Sequence, residues 1–189
     1  MRPACLLHAC CAPCTTHSWQ ALEADYDVTV FFYNPNIHPE TEYRFRETEI
    51  SALGQRWGFS LVTGDYDATR WFEVTRGMEE VPEGGARCAL CFRMRLEATA
   101  KRAVAMGIPY ITTTLTISPH KKSAVIFPIG RSVAAQYGLT FLEIDFKKMN
   151  GFKESCRLSH EEGLYRQDYC GCVYSRKEAE ARRARREGR

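Results

Sequence analysis

The chain contains no glycine-rich phosphate loop. Neither G-x-G-x-x-G nor the Walker-type G-x-x-x-x-G-K-[ST] occurs in its 189 residues. Those loops seat a pyrophosphate on a helix N-terminus, so an ordinary nicotinamide or ATP site is not indicated. No apolar run approaches the roughly 20 residues that a membrane helix needs. The first apolar run, entered from Met1-Arg2-Pro3-Ala4, meets cysteines almost at once and lacks a secretory cleavage site. These absences predict a cytoplasmic protein without a membrane partner. Internal repeats and low-complexity linkers are missing too, and a composition of 44% hydrophobic and 26% charged residues excludes disorder across the body. The length fits one domain over 1–189, with a core to about 148 and a helical extension with a basic tail over about 149–189.

Cysteine, by contrast, is abundant. There are nine, an odd number that argues against a complete disulfide framework. In a reducing compartment, clustered cysteines more often bind metal or carry out redox chemistry than staple the chain. Charge is unevenly placed: Ser175–Arg189 holds seven Lys or Arg against three Glu, so +4 of the net +3 lies there and the remainder is near −1. Such an arm suits a nucleic-acid backbone or a solvated terminal helix, with Glu178 and Arg182 at i,i+4 spacing.

Five runs rich in β-branched, aromatic or leucine residues read as strands: Cys5–Ala9, Val28–Tyr33, Phe59–Val62, Tyr110–Leu115 and Thr140–Ile144. Helical segments are expected at Thr16–Ala24, Glu40–Trp57, Ala68–Thr75, Cys91–Met106 and Lys121–Tyr137, with Thr15 or Thr16 capping the first and Ser118-Pro119 starting the last. Gly58 and Gly107 stand where a left-handed C-cap belongs. Alternating strands and helices predict an α/β domain with a mostly parallel five-stranded sheet.

In open parallel sheets, ligands bind beyond the carboxyl ends of the strands. Four such ends carry the unusual residues: Cys10-Cys11-Ala12-Pro13-Cys14, Tyr33-Asn34-Pro35-Asn36, Gly64-Asp65-Tyr66-Asp67, and Thr116 to Lys121. Cys11-x-x-Cys14 and Cys88-x-x-Cys91 both stand at expected helix starts, where the dipole and free N–H groups favour thiolates. Spacing leaves the metal open. Cys11, Cys14, Cys88 and Cys91 satisfy a four-ligand zinc site; the extra Cys10 suits an iron–sulfur centre; a thioredoxin-like dithiol would leave the second pair without a task.

Other residues carry more than one reading. Cys170-Gly-Cys172 can add ligands, form a redox disulfide or lie in a tight turn. Asp67 can bind metal, donate a proton or N-cap the next helix. Lys121, near an expected helix start, can hold a phosphate. Tyr33, Tyr43, Tyr66, Trp71 and Tyr169 can stack a base or fill the core. Cys5, Cys156 and His8 read as packing residues, His17 as exposed and His38 as loop.

Together these segments resemble a known family. Cys10-Cys11-x-Pro-Cys14, Tyr33-Asn-Pro-Asn-Ile37, Glu42-Tyr43-x-x-Arg46, Glu83-Gly-Gly-x-Arg87-Cys88-x-x-Cys91, Thr113-Thr-Leu-x-x-Ser118-Pro-x-Lys121 and Tyr165-Arg-Gln-x-Tyr169-Cys-Gly-Cys172 are similar to the motifs of the QueH-type epoxyqueuosine reductases. The resemblance runs from about Cys10 to Ser175. It implies a HUP-like, Rossmann-like core without a phosphate loop, and reduction of epoxyqueuosine in tRNA to queuosine without cobalamin. It also implies a [4Fe-4S] cluster with an adjacent iron or other divalent ion and an unidentified electron donor. On that reading Cys10, Cys11, Cys88 and Cys91 hold the cluster. Cys14 joins them as a metal ligand, while Asp67, Cys170 and Cys172 serve the reaction, the last two either as further metal ligands or as a redox-active disulfide. Lys121 and Arg166 hold tRNA phosphates. The rivals are a zinc-stabilised tRNA-binding module and a cysteine-dependent tRNA-thiolating enzyme.

Overall fold

A computed structural model describes residues 1–187; Gly188 and Arg189, the end of the basic tail, lie outside the described residues. Five parallel strands, β1 (Ala4–Ala9), β2 (Asp27–Phe32), β3 (Ser60–Thr63), β4 (Tyr110–Thr113) and β5 (Thr140–Phe141), form a sheet in the order β3-β2-β1-β4-β5. Helices α1 (Ala12–Glu23), α2 (Glu40–Trp57), α3 (Ala68–Val74), α4 (Ala86–Met106), α5 (Ser123–Gln136), α6 (Gly151–Glu161) and α7 (Val173–Glu187) flank it. The α/β class and the helical C-terminal segment agree with the sequence reading. Two apolar clusters cover the two sheet faces: Leu6, Phe31, Ile111 and Leu96 on one, Leu7, Val30, Phe32 and Leu53 on the other. Alternate residues of β1 and β2 divide between them, as the two-residue side-chain period of a strand requires.

The chain winds outward from β1 to β3, then crosses to the other side of β1 for β4. The strand order therefore reverses between β1 and β4, and the crevice at such a reversal is where ligands lodge in open α/β sheets. Cys10 and Cys11 are the residues directly after β1.

Three expected helix starts move. The helix expected from Cys91 begins at Ala86, which brings Cys88 inside it. The first helix begins at Ala12, with Cys11 as its N-cap and Pro13 in the first turn. Proline there sacrifices no intrahelical bond. Thr15 and Thr16, the expected caps, lie inside and return their hydroxyls to the carbonyls of Cys11 (2.9 Å) and Pro13 (2.8 Å). After β4 the chain makes a 3₁₀ turn over Thr114–Ile117, and α5 begins only at Ser123, so Ser118-Pro119 belongs to a loop. Gly58 and Gly107 do close α2 and α4 in the left-handed conformation, at φ 77° and 66°.

Candidate metal centre

The site forms where β1 meets α1. Cys10, Cys11 and Cys14 bring their sulfur atoms within 4.8 Å of one another, with Cys10 Sγ 3.7 Å from Cys11 Sγ. Among the described residues this is the one group of three or more His, Cys, Asp or Glu side chains so arranged. The end of β4 secures it: the Cys10 N–H donates to Thr114 Oγ1 at 3.1 Å, and that hydroxyl donates to Cys10 Sγ at 3.4 Å. Hydrogen bonds from the Cys11 and Cys14 thiols hold Cys10 well below the ordinary thiol range, helped by the charges of Lys121 and Arg95. Its partners pay the converse: the bond to Cys10 pushes Cys11 up to about 11 and Cys14 up as well. Three crowded thiols that favour one thiolate are a soft donor set suited to a thiophilic metal.

A cleft of about 310 Å³ opens over the three thiols. One wall is the loop Ser118–Lys121, another is Phe152 and Ser155 of α6, and a third is the segment Arg166–Cys170. Lys121 was read as a helix-start residue; it precedes the helix and lines the cleft, where burial opposes its charge but the negative influence of Cys170, Cys10 and Cys14 outweighs it and raises its pKa. Arg166 borders the cleft but donates to Ser159 Oγ at 3.0 Å and lies 5.6 Å over the Phe152 ring, docked on α6.

Cys88 and Cys91 occupy the first turns of α4 but lie outside the close group of three. They line a small cavity of about 20 Å³ with Cys170, Cys172 and Trp71. The expectation that helix-start placement lowers both thiols does not hold here. Burial dominates and pushes Cys88 up to about 12, although the Gly84 N–H donates to its sulfur at 3.2 Å; burial also raises Cys91. A third cavity of about 150 Å³ is lined by Lys121, Cys88 and Cys170. Cys170 borders all three cavities and so stands between the two sets of thiols.

All nine cysteines are free thiols. This corrects the expectation of a Cys170–Cys172 disulfide. The Cys172 sulfur turns into the core and bonds Ser175, whose N–H donates to it at 3.3 Å. Gly171 separates the two cysteines at φ 130°, a region that favours glycine, and a Cβ there would meet Ile37 Cγ1 at 2.9 Å. Asp67 N-caps α3, accepting from the Arg70 N–H at 3.0 Å, and is not among the residues lining the cleft. His8 is a core histidine and Cys5 a buried thiol, as read.

Matches to known proteins agree with this geometry. Residues 5–178 match the family model described as "Epoxyqueuosine reductase QueH". The chain belongs to the QueH family. Among its QueH relatives, the epoxyqueuosine reductase QueH of Streptococcus pyogenes is 43% identical over 94% of this chain and 72% of its own length. The QueH of Histophilus somni is 41% identical over 90% of this chain and 71% of its own. The QueH of Thermotoga maritima is 35% identical over 97% of both.

Sequence reasoning had Arg46 and Arg87 only as motif residues, and missed both Arg95 and the buried polar frame that the three build in this QueH site. Arg46, Arg87 and Arg95 are each 1% exposed. Arg46 pairs with Glu42 (2.8 Å) and donates to the Cys170 carbonyl (3.1 Å). Arg87 donates to the carbonyls of Met78, Glu79 and Val81, fixing the loop ahead of Cys88. It also lies 4.5 Å under the Tyr174 ring of α7. Arg95 bonds Asn34 and His8. One signal was available for Arg95: it follows Cys91 by four residues, which puts both on one helix face.

Proposed function

We propose that this protein reduces the epoxide of epoxyqueuosine in tRNA to queuosine, acting as an oxidoreductase in wobble-base modification. Membership of the QueH family supports the reaction, and the observation that carries the site is the trio of Cys10, Cys11 and Cys14 at the strand-order reversal under an open cleft. The net change takes two electrons and two protons: both carbon–oxygen bonds of the epoxide break, the oxygen leaves as water and a carbon–carbon double bond remains.

The donor set fits a thiolate-held centre. Cys10 and Cys11, with Cys88 and Cys91 of α4, are the residues we assign to a [4Fe-4S] cluster, and Cys14 to an adjacent iron or other divalent ion. When bound, such a centre supplies the electrons and Lewis acidity toward the departing oxygen. The rest falls to the chain itself. Lys121, cationic in the cleft wall, donates a proton or hydrogen bond to that oxygen. The modified nucleotide, splayed from the anticodon loop, enters between the Ser118–Lys121 wall and Tyr169, whose ring is available for stacking. Arg166, and Arg182 from the basic α7, meet the flanking phosphates. Cys170 borders both thiol sets, and Cys172, bonded to Ser175 in the core, anchors the segment that holds it there. No helix is long and apolar enough to cross a membrane, and we read the enzyme as a single cytoplasmic unit.

Anaerobic purification, followed by iron, acid-labile sulfide and zinc analysis and by conversion of epoxyqueuosine-containing tRNA, tests this. Iron and sulfide together with queuosine formation are expected. Colourless protein holding one zinc and no sulfide after reconstitution would sink the cluster, and an intact reduced cluster that leaves the tRNA unchanged would sink the reaction.

A further inference from the structure

Three arginines are fully buried, and two have carboxylate partners: Arg46 with Glu42 at 2.8 Å and Arg87 with Glu178 at 3.7 Å. Among the described residues Arg95 has none within 4.0 Å. Its bonds go to neutral groups, Asn34 Oδ1 at 2.5 Å and His8 Nε2 at 3.3 Å, and its Nη1 lacks any partner. His8 cannot carry a compensating charge, since an imidazole is neutral or cationic. A guanidinium does not deprotonate in a protein, and burying a charge without an opposite one is costly. An anion therefore belongs beside it.

The surroundings name that anion. Arg95 lies on α4 one turn beyond Cys91, on the same face. Its positive field acts chiefly on Cys91 and, behind that of Lys121, also on Cys10 from the other cysteine motif. The side chain is held there deliberately. Asn34 is itself fixed by donating to the Ala9 carbonyl at 2.9 Å, and His8 is fixed by Thr113 Oγ1 at 2.8 Å. His8 Nε2 also lies 3.2 Å from the Tyr33 carbonyl. It cannot donate there and accept from Arg95 at once, and beside a permanent cation it takes the accepting tautomer.

We infer that Arg95 is the fixed counter-charge of the thiolate centre, balancing Cys10 and Cys91 and raising the reduction potential of the redox metal that these thiols hold. The inference rests on the metal-centre reading given above. It makes Arg95 a positioning residue: it touches neither the substrate nor the electrons, and acts through the charge it places behind the sulfurs. Reduction adds negative charge to the centre, and a buried cation favours that state.

The experiment compares full-length wild type with Arg95→Met, Arg95→Lys and Asn34→Asp, reconstituted anaerobically with iron and sulfide, by spectroelectrochemical titration. Arg95→Met is expected to lower the midpoint potential and Arg95→Lys to stay near wild type. Asn34→Asp, which keeps the guanidinium but gives it a carboxylate, is expected to fall in the same direction as Met. A Met variant with the wild-type potential overturns the inference, and so does a Lys variant displaced as far as Met. Should the Met variant hold no cluster, cobalt(II) alone is the probe, read by thiolate-to-cobalt charge-transfer absorbance. Binding about tenfold weaker in Met but unchanged in Lys supports the counter-charge, on the scale of one opposite charge nearby; equal affinities, or equal weakening in both variants, overturn it. A wild-type chain that takes up neither cluster nor cobalt overturns the metal-centre reading itself, and that failure shows in the wild-type arm alone.

Discussion

Arg46, in the middle of α2, donates a hydrogen bond to the main-chain carbonyl of Cys170, 124 residues further along the chain. The same guanidinium lies 5.2 Å over the Tyr169 ring and pairs with Glu42. One buried cation thus pins the segment that carries Cys170 over the cleft. Arg46→Leu is expected to cost about 3 kcal/mol of stability, because it strands a partly buried Glu42 and frees a carbonyl. It should also speed alkylation of Cys170 in the apoprotein. Urea unfolding and mass-spectrometric labelling read the two effects, and a variant with unchanged labelling would show that Arg46 does not hold the segment.

The three close thiols make a sharper distinction than stability can. Cys14→Ala should lose most thiophilic metal binding while the chain stays folded, since Cys14 is only partly buried. Cys5→Ala serves as the contrast: Cys5 is 0% exposed within β1 and burial pushes its thiol up to about 12. It should lose about 1–2 kcal/mol from the vacated volume and keep the metal. Equal metal content in the two variants would count against the trio as the centre.

Much of the fold was legible because local signals agreed with one another. The limits of α2, Glu40–Trp57, were readable because acidic residues open it and Gly58 closes it. The start of α5 was misread because Ser118-Pro119 imitates an N-cap with proline at the first position, while the chain spends Thr114–Ile117 in a 3₁₀ turn whose threonines bind elsewhere: Thr114 serves Cys10, and Thr116 donates to the Ile144 carbonyl. No local pattern reports such tertiary uses. Cys10, Cys11 and Cys14 could be placed on the sheet edge from the end of β1, and Cys88 and Cys91 at a helix start. Their division into a tight trio and a separate set around Trp71 depends on how α4 packs, which spacing does not encode. Arg95 stayed hidden because an arginine within a helix rich in charged residues reads as solvated.

Gly171→Ala tests the turn between Cys170 and Cys172. Alanine at φ 130° is strained, and its Cβ would press on Ile37. A loss of about 1–3 kcal/mol is expected, together with displacement of the His38 N–H from the Gly171 carbonyl, now 2.9 Å away. Amide exchange at His38 and urea unfolding read this; unchanged exchange would mean that the turn adapts.

His38 provides the pH dependence. Its ring packs on Trp71 at 4.9 Å and Phe72 at 4.7 Å, and burial lowers its pKa from 6.5 to about 4. Between those values the unfolded chain carries a proton that the folded one refuses, so stability falls as pH drops from 6.5 toward 4. His38→Phe keeps the aromatic packing and removes the titration. The variant's stability should therefore fall less steeply over this window, by up to about 1.4 kcal/mol per pH unit. Urea midpoints from pH 7 to 4.5 decide it, and parallel curves for wild type and variant would refute the assignment.

Cys10, Cys11 and Cys14 lie within a single five-residue segment, whereas Cys88, Cys91, Cys170 and Cys172 reach the site only through long-range packing. An unfolded chain therefore keeps a local chelating segment. Metal that binds this segment before β1 has paired with β4 stabilises the unfolded state as well as the folded one, and so raises the melting temperature less than its affinity for the finished site would suggest. On the proposed ligand assignment, an ion captured early by this segment would wait for Cys88 and Cys91 until the sheet closes, so assembly would run from the local cysteines to the distant ones.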